Sequence, residues 1–245
     1  MRSIFAIVLM FVAMSASAQI TVKTTSGESV DGKEVKLEAG RLKLTLEGGA
    51  ARSWDRSALK QVIMAEPADM AQIRKLFYSG KFADVVAMKP KADGLKLFGW
   101  GKWAAYFIAR AHIALGKADE GRKILREFES SVDGSNVSAD SMIIKLGLAE
   151  TDIAMKKNTE AESFLLAATN KYDDSVRPYV SAARGRLYFA QEKFENSKLE
   201  HLKVVLCDPN EWESRLSLKE IDVILKKLQD PRAGQPLKLS RIQND

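Results

Sequence analysis

The side chains best suited to chemistry are few and scattered. His112, His201 and Cys207 are the only imidazoles and the only thiol in 245 residues. A zinc site with three protein ligands would need both histidines and a carboxylate at one place. The two histidines fall in different helical segments, at positions that read as packing sites. Cys207 has no second cysteine to pair with, so an intramolecular disulfide is impossible in any compartment. It follows Val204, Val205 and Leu206 near a helix end and reads as a small buried hydrophobe rather than a reactive thiol. The spacings G-x-S-x-G, H-E-x-x-H, C-x-x-C and G-x-x-x-x-G-K-[ST] are absent. Gly99-Trp100-Gly101-Lys102 faintly resembles a phosphate loop, but it lacks the spacing and the preceding strand, and reads as the start of a helix. Carboxylates are numerous and sit mostly on expected helix surfaces, where pairing any two as acid and base is arbitrary. The residues therefore point away from an enzyme and call for no cofactor and no metal.

Stepping outward, the chain is 46% hydrophobic and 29% charged, which places it among ordinary globular proteins. Its formal charge of +6 is spread along the sequence. That permits an anionic partner but lacks the dense basic stripe of a nucleic-acid binder. The first eighteen residues stand apart. Arg2 precedes an apolar run from Ile4 to Met14, and Ala16-Ser17-Ala18 fits a signal-peptidase site. The run falls short of the roughly 20 residues that a membrane-spanning helix needs. Residues 1–18 are thus expected to be a cleaved signal peptide, and cleavage lowers the formal charge by one, from +6 to +5. No later segment reads as a membrane span. The expected location is periplasmic or secreted. Asn136-Val137-Ser138 forms a glycosylation sequon, relevant only in a eukaryotic secretory pathway.

Residues 19–65 alternate with period two. Ile20, Val22 and Thr24 share one face, as do Val35, Leu37 and Ala39, and then Leu42, Leu44 and Leu46. Such alternation marks strands with one buried side. Gly27, Gly32, Gly40 and Gly48-Gly49 punctuate them as turns require, and Ala39-Gly40 is placed to join two strands tightly. Trp54 and Val62-Ile63-Met64 add apolar weight. About 45 residues of short strands suffice for a small SH3-like or Sm-like barrel. The segment resembles the N-terminal barrels of other exported bacterial repeat proteins. Such a barrel could bind a peptide or strand, or could simply cap the helical part that follows.

After Pro67 the period becomes helical. Four polar turns recur, at residues 79–83, 115–119, 156–160 and 191–195, with spacings of 36, about 40 and about 35 residues. Paired helices at this period resemble the tetratricopeptide repeat family. The fourth unit carries the resemblance best. Gly185, Tyr188, Phe194 and Ser197 match the family's small and aromatic positions, and Asp208-Pro209-Asn210 closes the unit. Ile108-Ala109, Gly121 and Leu125 match in the second unit, and Leu148-Ala149, Ala161, Leu165 and Ala168 in the third. The first unit, with Gln72 and Ile73, departs from the pattern. The resemblance implies a mainly α fold over residues 66–228: about four helical hairpins in a solenoid behind the small β unit. A further helix over about 212–228 reads as a solvating cap, with Trp212, Leu216, Ile221, Ile224 and Leu225 inward and Glu213, Lys219, Glu220 and Asp222 outward. Residues 229–245, with Pro231, Gly234 and Pro236, read as a mobile tail.

In this family the first helix of each hairpin lines a concave, ligand-holding face. Aligning the units puts Arg74, Arg110, Glu150 and Arg186 at equivalent sites on it. Trp103 and Tyr106 precede Arg110, and Tyr179 and Phe189 flank Arg186. The resemblance implies either spaced arginines with aromatic platforms, suited to an acidic peptide or chain terminus, or a solvated basic face with the aromatics packed between repeats. The expected function is an exported, non-enzymatic scaffold binding an envelope protein or peptide. A direct binder of cell-wall glycan or anionic polymer is the alternative.

Overall fold

Among the described residues, the alternating segment forms six short strands and most of residues 68–227 are helical. The computed structural model describes residues 20–38, 41–96, 99–129, 138–167, 175–207 and 212–235. The leader 1–18, Ala39-Gly40, Asn136, Ala168 and Asp208-Pro209-Asn210 lie outside the described residues.

The strands are β1 (Ile20–Thr24), β2 (Ser29–Gly32), β3 (Glu34–Glu38), β4 (Arg41–Thr45), β5 (Ala51–Asp55) and β6 (Leu59–Ile63), with a 3-10 turn at Arg56–Ala58. They make two antiparallel three-stranded sheets, ordered β2-β1-β6 and β3-β4-β5. Only Lys33 separates β2 from β3. The inward positions of both sheets share one core of Ile20, Val22, Leu42, Leu44, Trp54 and Val62, as period-two burial requires.

The helices are α1 (Ala68–Tyr78), α2 (Phe82–Ala87), α3 (Lys89–Gly94), α4 (Trp100–Ala114), α5 (Ala118–Glu129), α6 (Ser138–Ala154), α7 (Asn158–Ala167), α8 (Arg177–Ala190), α9 (Phe194–Cys207) and α10 (Trp212–Lys227). The turn segments seen in the sequence fall between α1 and α2, α4 and α5, α6 and α7, and α8 and α9. All four have one geometry. Gly80, Gly116, Lys156 and Glu192 sit at φ of 74°, 72°, 63° and 60°. The next residue then donates to a carbonyl five back: Lys81 to Leu76, Lys117 to His112, Lys157 to Asp152 and Lys193 to Tyr188, at 2.8–3.0 Å. This is a Schellman-type helix stop. Glycine adopts it freely, whereas Lys156 and Glu192 each bear a cost of roughly 1–2 kcal/mol. α10 stops in the same way, with Gln229 at φ 54° and Asp230 bonded to the Leu225 carbonyl at 2.9 Å. By its stop, α10 matches the first helix of each pair.

First helices pack on their own partners and on the next first helix: α4 on α5 and α6, α6 on α7 and α8, α8 on α9 and α10. Small residues set the approach of α8 and α9. The Ser197 hydroxyl donates to the Gly185 carbonyl at 2.7 Å, and the His201 ring lies where a Gly185 Cβ would be, 2.4 Å from its Nε2. The helical core includes Ile73, Phe107, Leu125, Phe128, Ile143 and Leu165, separate from the strand core. The junction is polar: Trp100 Nε1 donates to the Met64 carbonyl at 3.4 Å, and Arg74 pairs with Glu66 at 2.6 Å.

Two expectations are corrected. Cys207 is exposed. Four successive apolar residues wrap more than one helix face, and only Val204 and Val205 point inward, leaving Leu206 63% exposed. The first stretch of the expected tail is also folded back. Asp222 accepts the Gly234 N–H at 2.6 Å, and Ala233 packs against Val205, Ile221 and Leu225. Residues 236–245 lie outside the described residues. No helix among the described residues is long and apolar enough to cross a membrane.

Candidate functional site

Arg110, Glu150 and Arg186 stand at the same point on α4, α6 and α8, each six residues before its helix stop. The structure brings all three together, and α10 adds Glu213 and Glu220. Arg110 reaches Glu150 through Nε at 3.2 Å and Glu213 through Nη1 and Nη2 at 3.0 and 3.1 Å. Arg186 binds three carboxylates: Glu150 at 2.5 Å, Glu213 at 2.9 Å and Glu220 at 2.9 Å. Tyr78 donates to Glu213 at 2.8 Å, and Tyr106 donates to Glu150 at 3.2 Å.

The electrostatics follow from burial. The Glu213 side chain is 2% exposed and that of Arg110 is 6% exposed. Burial alone would push the Glu213 carboxyl up; the Arg110 and Arg186 guanidiniums outweigh it and hold the group down to about 2. Burial and the Glu213 charge push the Tyr78 hydroxyl up. Burial likewise raises Tyr106 well above its ordinary value. Both phenols therefore stay protonated and able to donate. His201, packed against α10, has its pKa lowered by burial, only partly offset by Glu220.

Both alternatives expected exposed arginines, and these positions correct that; of the two readings of the aromatics, open platforms or packed rings, the rings are packed. Arg110 and Arg186 already spend donors on this chain's own carboxylates. Tyr106 is fully buried. Trp103 and Tyr179 are half-buried and lie edge to face, 5.3 Å apart; Tyr179 also meets Tyr106 at 5.8 Å. Arg74 is not in the network and pairs with Glu66. The chain thus supplies its own partners for these groups. Glu213 was expected on the solvent side of its helix and is instead at the centre. The signal available in the sequence was its company: Ser214 and Ser217, also buried, continue a small polar stripe along α10.

Beside the network lies an open cleft of ≈ 340 Å³. Phe77, Phe82, Ile113, Ile153 and Leu216 wall it, and Arg110, Glu150, Arg186 and Glu220 form its floor. A concave apolar site with a few convergent polar groups is the usual form of a ligand site. Among the described residues, no group of three or more His, Cys, Asp or Glu side chains is placed to hold a metal ion.

The network predicts an acid-sensitive fold. Glu213 has a depressed folded value, so its stabilisation is complete above its ordinary 4.5 and is lost as pH falls toward about 2. The amount at stake is about 3 kcal/mol, from the size of the shift. His201, depressed from 6.5, acts in the same direction at higher pH, its share draining away as pH falls below 6.5. Urea melts from pH 7 to 3 should show stability falling throughout. The limb between pH 4.5 and 3 should flatten in Glu213→Gln; an unchanged limb would contradict the assignment. No family model, curated protein or solved structure matches the chain.

Proposed function

We propose that this chain is an exported, non-enzymatic scaffold that binds a protein or peptide partner in the cleft between its first helices. The cleft itself carries the reading, because its apolar walls and charged floor suit a side chain or peptide segment and no catalytic constellation lines it. The matched helix stops at 80, 116, 156, 192 and 229 support a tetratricopeptide-like hairpin array over residues 66–228. The strand order supports a small SH3-like or Sm-like unit ahead of it. The leader-like residues 1–18 support export to a periplasm or the exterior. The rival reading, a binder of cell-wall glycan or anionic polymer through the β unit and the basic surface, is weakened at the β unit by local neutralisation: Lys36, Arg41, Lys43 and Arg52 pair with Glu34, Asp55, Glu38 and Glu28.

Photo-crosslinking residues placed one at a time test the choice. Ala154 and Ile113 line the cleft, while Leu199 is exposed on α9. In the native envelope, the first two positions should give one adduct of common mass and Leu199 should not. Adducts that arise only from the strands, or equally from Leu199, would reject the cleft. A binder of polymer through scattered charges should also release in high salt, whereas a packed peptide should stay bound.

A further inference from the structure

The reading of the cleft as a partner site can be taken one step further, and the following rests on it. We infer that the occupant is a segment of a partner protein that presents a basic side chain between two apolar ones. The Arg186–Glu220 pair is a divide. On one side lies the ≈ 340 Å³ cleft; on the other lies a second of ≈ 190 Å³, lined by Phe189, His201, Val223 and Ile224 and sharing Arg186 and Glu220 with the first. An extended segment crossing both would meet apolar wall, charged divide and apolar wall in turn.

The sign of the divide follows from its ion pairs. Glu150, Glu213 and Glu220 face Arg110 and Arg186, three negative charges against two positive ones. Arg110 is consumed by Glu150 and Glu213, and Arg186 binds all three acids. The other titratable neighbours leave this count unchanged: Tyr78 and Tyr106 are neutral donors to Glu213 and Glu150, Glu200 is paired with Arg184, and His201, 1% exposed, adds no charge when neutral. The excess falls on Glu220. Its Oε2 has no hydrogen-bond partner and is itself closed to solvent, but the side chain as a whole is 28% exposed, so a rotation of the carboxylate brings that oxygen to the cleft surface. His201 Nδ1 lies 3.2 Å from Oε2 but also 3.3 Å from the Ser217 hydroxyl, and it makes no aligned bond to the carboxylate. A proton donor and a positive charge are therefore wanted at one atom between two apolar hollows. A lysine ammonium or an arginine guanidinium supplies both. A partner carboxylate would meet Glu220 head on, so the occupant is cationic, the reverse of what the arginines suggest in the bare sequence.

Three capped pentapeptides test this. They differ only at the centre, which is lysine, norleucine or glutamate between leucines, and each is titrated into the full chain by fluorescence anisotropy. The lysine peptide should bind at least about tenfold more tightly than the other two, a margin of about 1.4 kcal/mol. Glu220→Gln should erase that preference. Ala154→Trp, which fills the larger cleft without removing a charge, should weaken every peptide. If lysine and norleucine bind alike and Ala154→Trp abolishes both, the cationic occupant is wrong and the cleft stands. If Ala154→Trp changes nothing, the cleft reading falls as well. Failure of the lysine peptide to bind overturns the inference. Tighter binding after deletion of residues 236–245 would assign the site to this chain's own Leu237-Lys238-Leu239 and overturn occupancy by a partner protein.

Discussion

Glu213→Ala should lower the free energy of unfolding by about 3–5 kcal/mol, the range for removing one member of a buried ion pair. The reason is what stays behind. Arg110 loses both Nη acceptors, Arg186 loses one of three carboxylates, and Tyr78 loses the acceptor for its hydroxyl. Arg110 then keeps only its Nε contact with Glu150, and its buried Nη groups are left without acceptors. The same physics applies to Arg110→Ala, which the bare sequence would class as a harmless surface change. Glu220→Gln is the control: its side chain is 28% exposed, and water can replace much of what is lost, so the change should stay under about 1 kcal/mol. Urea denaturation at pH 7 measures all three. A Glu213→Ala loss below about 1 kcal/mol would mean that the network does not form in solution.

Phe107→Ala should cost a similar amount, about 3–5 kcal/mol. Phe107 is fully buried. Its ring meets Phe77 at 5.3 Å, Tyr106 at 5.5 Å, Tyr78 at 5.8 Å and Tyr179 at 6.4 Å, all edge to face. Those contacts join α1, α4 and α8, so no single helix can close the void by shifting. Edge-to-face pairs add about 0.5–1.5 kcal/mol beyond area burial. Phe107→Leu should recover a good part of the loss. Thermal and urea melts that move by less than about 1 kcal/mol for Phe107→Ala would show that the ring cluster is loosely packed.

Much of this architecture is written locally. Alternation placed Val22, Leu42 and Leu44 inward, and they are buried. The polar turns marked the helix stops because a stop needs only a few neighbouring residues to form. Gly185 and Ser197 marked a close helix approach because only small residues permit one. The site was less legible. The family resemblance implied an inner face for Arg110 and Arg186, but it could not say whether the chain itself would pair them. The acid that neutralises them, Glu213, is 103 residues from Arg110, and nothing local announces such a pairing. Cys207 failed for the opposite reason: a short apolar run has no period and does not reveal which of its members turns outward.

The reach of Glu213 has a consequence for how such a chain could grow. Linear arrays lengthen by gaining units, because each unit touches only its neighbours. Here α10 holds both α4 and α1, through Arg110 and through Tyr78, whose ring stacks on Trp212 at 5.5 Å. Duplicating a hairpin anywhere between Ala114 and Trp212 would carry Glu213 away from Arg110 and leave both Nη groups of Arg110 buried without acceptors. The number of units is therefore fixed by electrostatics, and descendants of this chain can vary its loops and its cleft more readily than its length.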